Sequence, residues 1–242
     1  MLGESLGARF LAAFNDIEDQ VRNELHAGLH VEFATLARQF AARKHLLRPQ
    51  LEALLAYATL RNAISHGRYY DGRPIAEPVE KVVEQIERLR EQIKAPPVAL
   101  TVLGQMTVRT VSPTDPIGAA LHLVRAYDYS QLPVYRDHQY LGLLTTNAIA
   151  RWLANQLTTN GGLAQTETVE QVLGFAEPHE KALLVPRSLT VTDAIYQLAH
   201  GGEADKPVAA LIIAQTGKPH ETPLAMIVVD DLPALTSAVT LP

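Results

Sequence analysis

Ala95-Pro96-Pro97 divides the 242-residue chain into two stretches with different hydrophobic periods. Proline fixes φ and has no N–H to donate, so two in succession end any helix that reaches them. Before this break apolar residues recur every three or four positions. After it, short β runs alternate with short helices. The expected organisation is a helical domain over residues 1–95, a proline linker at 96–99 and a mixed α/β region from residue 100 onward.

In the first stretch Leu6, Phe10, Phe14, Ile17, Val21 and Leu25 mark one face of a helix, with Gly28 as its expected stop. A second helix is expected over Val31–Ala42, with Phe33, Leu36, Ala37 and Phe40 turned inward. Pro49 suits the first turn of a third helix, where its missing N–H costs nothing. That helix carries Leu51, Leu54, Leu55, Ala58, Leu60 and Ile64, and Gly67 is placed to end it in a left-handed cap. Asp71-Gly72-Arg73-Pro74 reads as a turn. A fourth helix begins near Pro78 and carries Val79, Val82, Val83, Ile86, Leu89 and Ile93. Four helices joined by short loops predict a bundle.

The end of the third helix holds the most reactive set of side chains. Asn62 and His66 are four apart and share a helix face, and Arg61 can reach the same end. A helix C-terminus raises the basicity of a nearby imidazole. An imidazole that moves a proton beside a guanidinium that stabilises phosphate charge suits phosphodiester cleavage. The alternative is structural: Arg61 and His66 cap helix carbonyls, or pair with Glu52 or Glu77. The flanking window 38–73 holds seven Arg/Lys against two acids, which is compatible with phosphate.

The four-helix unit with Arg-Asn-x-x-x-His closing its third helix resembles the HEPN superfamily. The resemblance implies a homodimer with facing motifs and metal-independent RNA cleavage by attack of the 2′-hydroxyl. His66 would be the acid/base, Arg61 the phosphate stabiliser and Asn62 an orienting group. Arg43, Lys44, Arg68 and Tyr69 are the candidate RNA contacts around it, although aromatics beside a turn, such as Tyr69 and Tyr70, more often pack.

The second stretch repeats. Val102–Met106 parallels Val169–Leu173, Ile117–Leu121 parallels Val191–Ile195, Leu132–Tyr135 parallels Val208–Ile213, and Tyr140–Thr145 parallels Pro223–Val228. Each copy closes with a helix, about Thr146–Asn155 and then from Asp231. This β-α-β-β-α repeat is similar to a pair of cystathionine-β-synthase (CBS) domains, at 100–157 and 168–242 with a polar linker at 158–167. The expected fold class is thus α plus α/β: an N-terminal HEPN-like four-helix bundle followed by tandem CBS repeats.

The CBS resemblance implies clefts that bind adenine nucleotides such as AMP or ATP as regulatory ligands, with no cofactor required. Both copies depart from the ligand motif, which is a small residue, then Ser/Thr, then Asp. The first keeps Gly142 and Thr145 but has Ala148 at the acidic position, with Asn147 one residue early. The second keeps Asp231 but has Ala225 and Val228. Gly142, Thr145, Asn147 and Asp231 are the candidate nucleotide residues, with Arg109, Arg151, Arg187 and Lys206 as phosphate partners.

Composition narrows the remaining classes. The chain has no cysteine, hence no disulfide and no thiolate chemistry, which fits a cytoplasmic location. No apolar run of membrane-spanning length occurs. Residues 1–95 are neutral, so the whole net charge of −5 comes from the rest. No P-loop is present. His26 and His30 are four apart with Gly28 between them and no acidic third ligand, so they read as surface, and no metal site is expected. Trp152 reads as a core residue or an interface anchor. Two functions fit: a nucleotide-sensing CBS-pair protein with a HEPN-type endoribonuclease domain, or a non-catalytic CBS regulatory module whose helical domain dimerises or docks a partner. Homodimer contacts through both domains are expected in the first case.

Overall fold

The structure is a computed structural model and describes residues 5–66, 76–104, 106–159 and 167–241. Two compact units emerge. The first comprises residues 1–97 with 190–193 and 236–242, and the second comprises 98–189 with 194–235.

The first unit is built on helices α1 (Leu6–Leu25), α2 (Phe33–Arg43), α3 (Arg48–His66) and α4 (Glu80–Lys94). The Ser5 hydroxyl accepts from the Ala8 N–H and starts α1. The helix ends earlier than Gly28, because His26 itself takes the left-handed cap conformation (φ 52°). Phe10, Phe14, Ile17, Val21, Leu36, Phe40, Leu54, Ile86 and Leu89 form the shared core, nearly all of them among the apolar positions expected from the periodicity. Each such side chain contributes about 1.5–3 kcal/mol by leaving water. Arg9 on α1 ties down α4, donating to both carboxylate oxygens of Glu87 (3.0 and 2.8 Å) and to Glu80 (2.9 Å). The expected cap at Gly67, the turn at 71–74, Arg68, Tyr69 and Tyr70 all lie outside the described residues.

The second unit opens with α5 (Ala99–Leu103) and α6 (Ile117–Tyr127). Next come β1 (Gln131–Arg136) and β2 (Gln139–Thr145), an antiparallel pair. Their two-residue turn places Asp137 and His138 at φ 47° and 68°, the geometry whose twist matches a tight hairpin. Helix α7 (Thr146–Thr159) follows, then α8 (Val169–Leu173), β3 (Ala182–Pro186), α9 (Val191–His200), β4 (Ala210–Ala214), β5 (Ala225–Ile227) and α10 (Leu232–Val239). Strand β4 lies between a parallel β3 and an antiparallel β5, and all five of its residues are buried.

The two stretches expected to repeat differ in structure. Where the second has β3, the first makes only a single bridge, Val111 to Val134. Short helices stand near both expected openings, α8 at Val169–Leu173 and α5 three residues earlier than the expected Val102–Met106. Leu132, Val134, Leu144, Ile149, Trp152, Val169 and Val172 form the first core, so Trp152 is a core residue at 4% exposure. Among the described residues, no helix is long and apolar enough to cross a membrane.

Candidate functional site

Two hollows in the second unit bear on ligand binding. The first, of about 390 Å³, has an apolar and aromatic wall of Met106, Val108, Tyr129 and Met226. Arg109 and Gln131 supply its charge and polarity. Its shape depends on the end of α6. Asp128 takes a left-handed conformation there (φ 55°), which lets Tyr127 and Tyr129 flank it with their rings stacked at 5.5 Å. The Arg109 guanidinium lies over the Tyr127 ring, 4.1 Å from its centroid. That contact holds the cation against an aromatic face and restricts its rotamers. Gln131 opens β1, and its Oε1 is buried with no hydrogen-bond partner among the described residues. A buried acceptor without a donor costs about 1–3 kcal/mol until one reaches it.

The second hollow, of about 520 Å³, lies along β2 and is lined by Tyr140, Gly142, Leu173, Glu177, Glu180 and Lys181 among others. Gly142 keeps its wall low, because a Cβ there would stand 3.0 Å from Leu173 Cδ2. Thr145 is 5% exposed and already engaged. Its hydroxyl donates to Glu180 Oε1 at 2.6 Å and accepts from the Ala148 N–H at 3.0 Å, which caps α7. Arg151 pairs with the other oxygen, Glu180 Oε2, and donates through Nε to the Phe175 carbonyl at 2.8 Å. The Glu177 N–H also donates to Glu180 Oε2, at 2.7 Å. Asn147 is exposed in the first turn of α7. Asp231 accepts from the Val228 N–H at 2.9 Å and so caps the turn between β5 and α10.

Of the residues singled out for nucleotide contact, Gly142 lines the second hollow, and Thr145 and Arg151 are bonded to Glu180, which lines it too. Asp231 follows the strand that carries Met226 to the other hollow. Arg109 alone of the phosphate candidates faces the apolar hollow. Arg187 reaches Gln215 Oε1 at 3.5 Å, and Lys206 is exposed. Sequence reasoning does not single out Tyr129, Gln131 or Glu180. The aromatic pair around Asp128 is the available signal for the first, and the other two are defined by tertiary contacts.

In the first unit, Arg61 and Asn62 border an open hollow of about 570 Å³ together with Phe14, Arg22, Arg38 and Leu55. Arg61 Nη1 donates to Asn62 Oδ1 at 3.3 Å, and the guanidinium stands 6.0 Å from the Phe14 ring centroid. His66 is the last residue of α3, and its side chain lies outside the described residues. Of the basic window, two cations are paired with carboxylates and two more are held by backbone carbonyls. Arg38 bonds the Ala34 carbonyl, Arg43 the Glu24 carbonyl, and Arg48 the Glu52 carboxylate. Lys44 pairs with Glu24 at 2.9 Å and holds that carboxyl below its usual range. Lys44 borders a different hollow from Arg61. His26 and His30 are exposed. Among the described residues no cluster of three metal-ligating side chains occurs.

The family model for the CBS domain matches residues 102–155, which form a CBS domain. No curated protein sequence matches the chain. Among solved structures, the chain is similar to the CBS-domain containing protein ATU1752 from Agrobacterium tumefaciens (18% identity, TM-score 0.41, over 58% of this chain and 90% of that one). It is similar to CBSX2 in complex with AMP (16% identity, TM-score 0.39, over 60% and 95%). It is also similar to the CBS domain of a bacterial CNNM/CorC family Mg2+ transporter in complex with ATP (15% identity, TM-score 0.41, over 64% and 94%).

Proposed function

We propose that the chain is a regulatory module that binds an adenine nucleotide in the hollow between Arg109, Tyr129, Gln131 and Met226. The observation that carries this reading is the lining of that hollow: an apolar and aromatic wall with one guanidinium, Arg109, and one amide side chain, Gln131. A purine ring fits against Tyr129, Val108 and Met226. The Gln131 amide in the lining is the polar group that would meet the 6-amino edge of adenine. Arg109, set against Tyr127, is the cation for a phosphate. A CBS domain at 102–155 brings the same ligand class as an expectation. The second copy, at 168–242, completes a CBS pair in this reading, and Met226 is its contribution to the hollow.

A melting series on the full chain tests the proposal. AMP, ADP and ATP raise the melting temperature, because a ligand that binds the folded state stabilises it. GMP, which presents a 6-oxo acceptor at the same edge, does so less. No shift with any adenine nucleotide overturns the proposal.

A second reading, ribonuclease action by the helical unit, is favoured by one observation: Arg61 and Asn62 share the rim of an open hollow with Arg22 and Arg38. It requires a second copy of the chain to face the motif, and His66 as acid/base. Metal-free RNA cleavage that disappears in His66→Ala supports it. Intact RNA, or equal cleavage by the variant, overturns it.

A further inference from the structure

We infer that the chain blocks its own second hollow: the Glu180 carboxylate holds the Thr145 and Arg151 contacts that an anionic ligand would need, which limits the module to one nucleotide per chain. The count of one rests on the proposed function, whereas the block stands on geometry alone.

Glu180 follows a tight turn, in which its N–H donates to the Glu177 carbonyl at 2.9 Å. The turn aims its side chain inward, leaving 3% of it exposed. Three donors converge on it: the Thr145 hydroxyl on Oε1, and the Glu177 N–H and Arg151 on Oε2. A buried carboxylate persists only with such partners. Thr145 has no donor left for a phosphate, and its oxygen already accepts the Ala148 N–H. Arg151 is committed in the same way, with Nε on the Phe175 carbonyl.

The wall repeats the message in charge. Glu177, Glu180 and Glu203 face this hollow against Lys181, and Lys181 is already paired with Glu203 at 2.6 Å. A phosphate entering there meets an excess of negative charge and no unpaired lining cation. Among the described residues that line the hollow beside Arg109 there is no carboxylate. The two copies therefore offer opposite environments to the same ligand.

Equilibrium dialysis of the full chain against labelled AMP counts the sites. The wild type takes up one AMP per chain, and Glu180→Ala takes up two, because the substitution frees Thr145, Arg151 and the Glu177 N–H together. Two per wild-type chain, or one per Glu180→Ala chain, overturns the block. Should Glu180→Ala fail to fold, Arg109→Ala decides: AMP uptake weakened by about tenfold or more supports the block, and uptake unchanged from wild type overturns it. A wild type that takes up none overturns the proposed function instead. The block is then read from Glu180→Ala, where uptake of one AMP supports it and none overturns it.

Discussion

The Thr145 hydroxyl donates to Glu180 Oε1 at 2.6 Å, joining the end of β2 to a carboxylate 35 residues further along the chain. Both side chains are buried, so the bond is not in competition with water. Thr145→Val keeps the shape and removes the donor. A hydrogen bond to a charged group contributes about 1.5–3 kcal/mol, and the α7 cap is lost with it. The variant is expected to lose stability by an amount in that range in urea denaturation, with a lower midpoint, while Thr145→Ser stays close to wild type. Equal midpoints for Val and wild type would contradict this account of Glu180.

Tyr135 stands edge-on to Tyr140 with ring centroids 5.5 Å apart, and its hydroxyl is buried without a partner among the described residues. Burial pushes the phenol up to about 12. The folded state therefore keeps Tyr135 neutral after the unfolded chain has begun to ionise near pH 10. Its contribution is complete below pH 10 and fades as pH rises from 10 to 12. Tyr135→Phe is expected to be neutral or stabilising at pH 7, because it removes an unsatisfied oxygen, and to flatten the alkaline loss of stability. Urea midpoints across pH 8–12 for both proteins check the two halves together.

Glu221 organises the connection between β4 and β5. Its carboxylate accepts from the Thr216 hydroxyl (2.6 Å) and from the Thr216 and Lys218 N–H groups (2.7 and 3.1 Å). The Thr216 hydroxyl first, with the backbone donors behind it, holds the carboxyl down at about 2. A depressed carboxylate supports the fold above its unfolded value near 4.5, and the support is lost as pH falls from 4.5 toward 2. Glu221→Gln should lack that part of the acid transition. Superimposable acid limbs for the two proteins would refute the assignment.

Gly217 lies in the same connection at φ +80°, and a Cβ would meet the backbone N of Pro186 at 3.0 Å. Gly217→Ala combines a disfavoured conformation with a clash against backbone that cannot swing away. A loss of about 1–3 kcal/mol is expected by chemical denaturation. Gly104, also at positive φ (79°) but with open space around it, should lose less on the same change.

The helical half is legible because its signal is local. A stripe such as Phe10, Phe14, Ile17 and Val21 declares its buried face by spacing alone, and Pro96-Pro97 ends the pattern. The second half is legible where a strand leads into a helix, as at Tyr140–Thr145 followed by α7. Ala182–Pro186 is less so, since a short apolar run reads equally as strand or buried helix until its parallel partner β4 is known. The ligand site is the least legible part. Gly142 and Thr145 stand where a nucleotide motif would, yet a distant glutamate fills the position. Gln131 has no motif at all, and only packing places it in the lining of a hollow.

The central claim is nucleotide binding beside Arg109, and calorimetric titration of the full chain with AMP tests it most directly. Wild type should give a saturable isotherm. Arg109→Ala removes one charge-assisted contact, of about 1.5–3 kcal/mol, and should weaken binding by about tenfold or more. An isotherm unchanged by Arg109→Ala, or no heat of binding in either protein, would contradict the account.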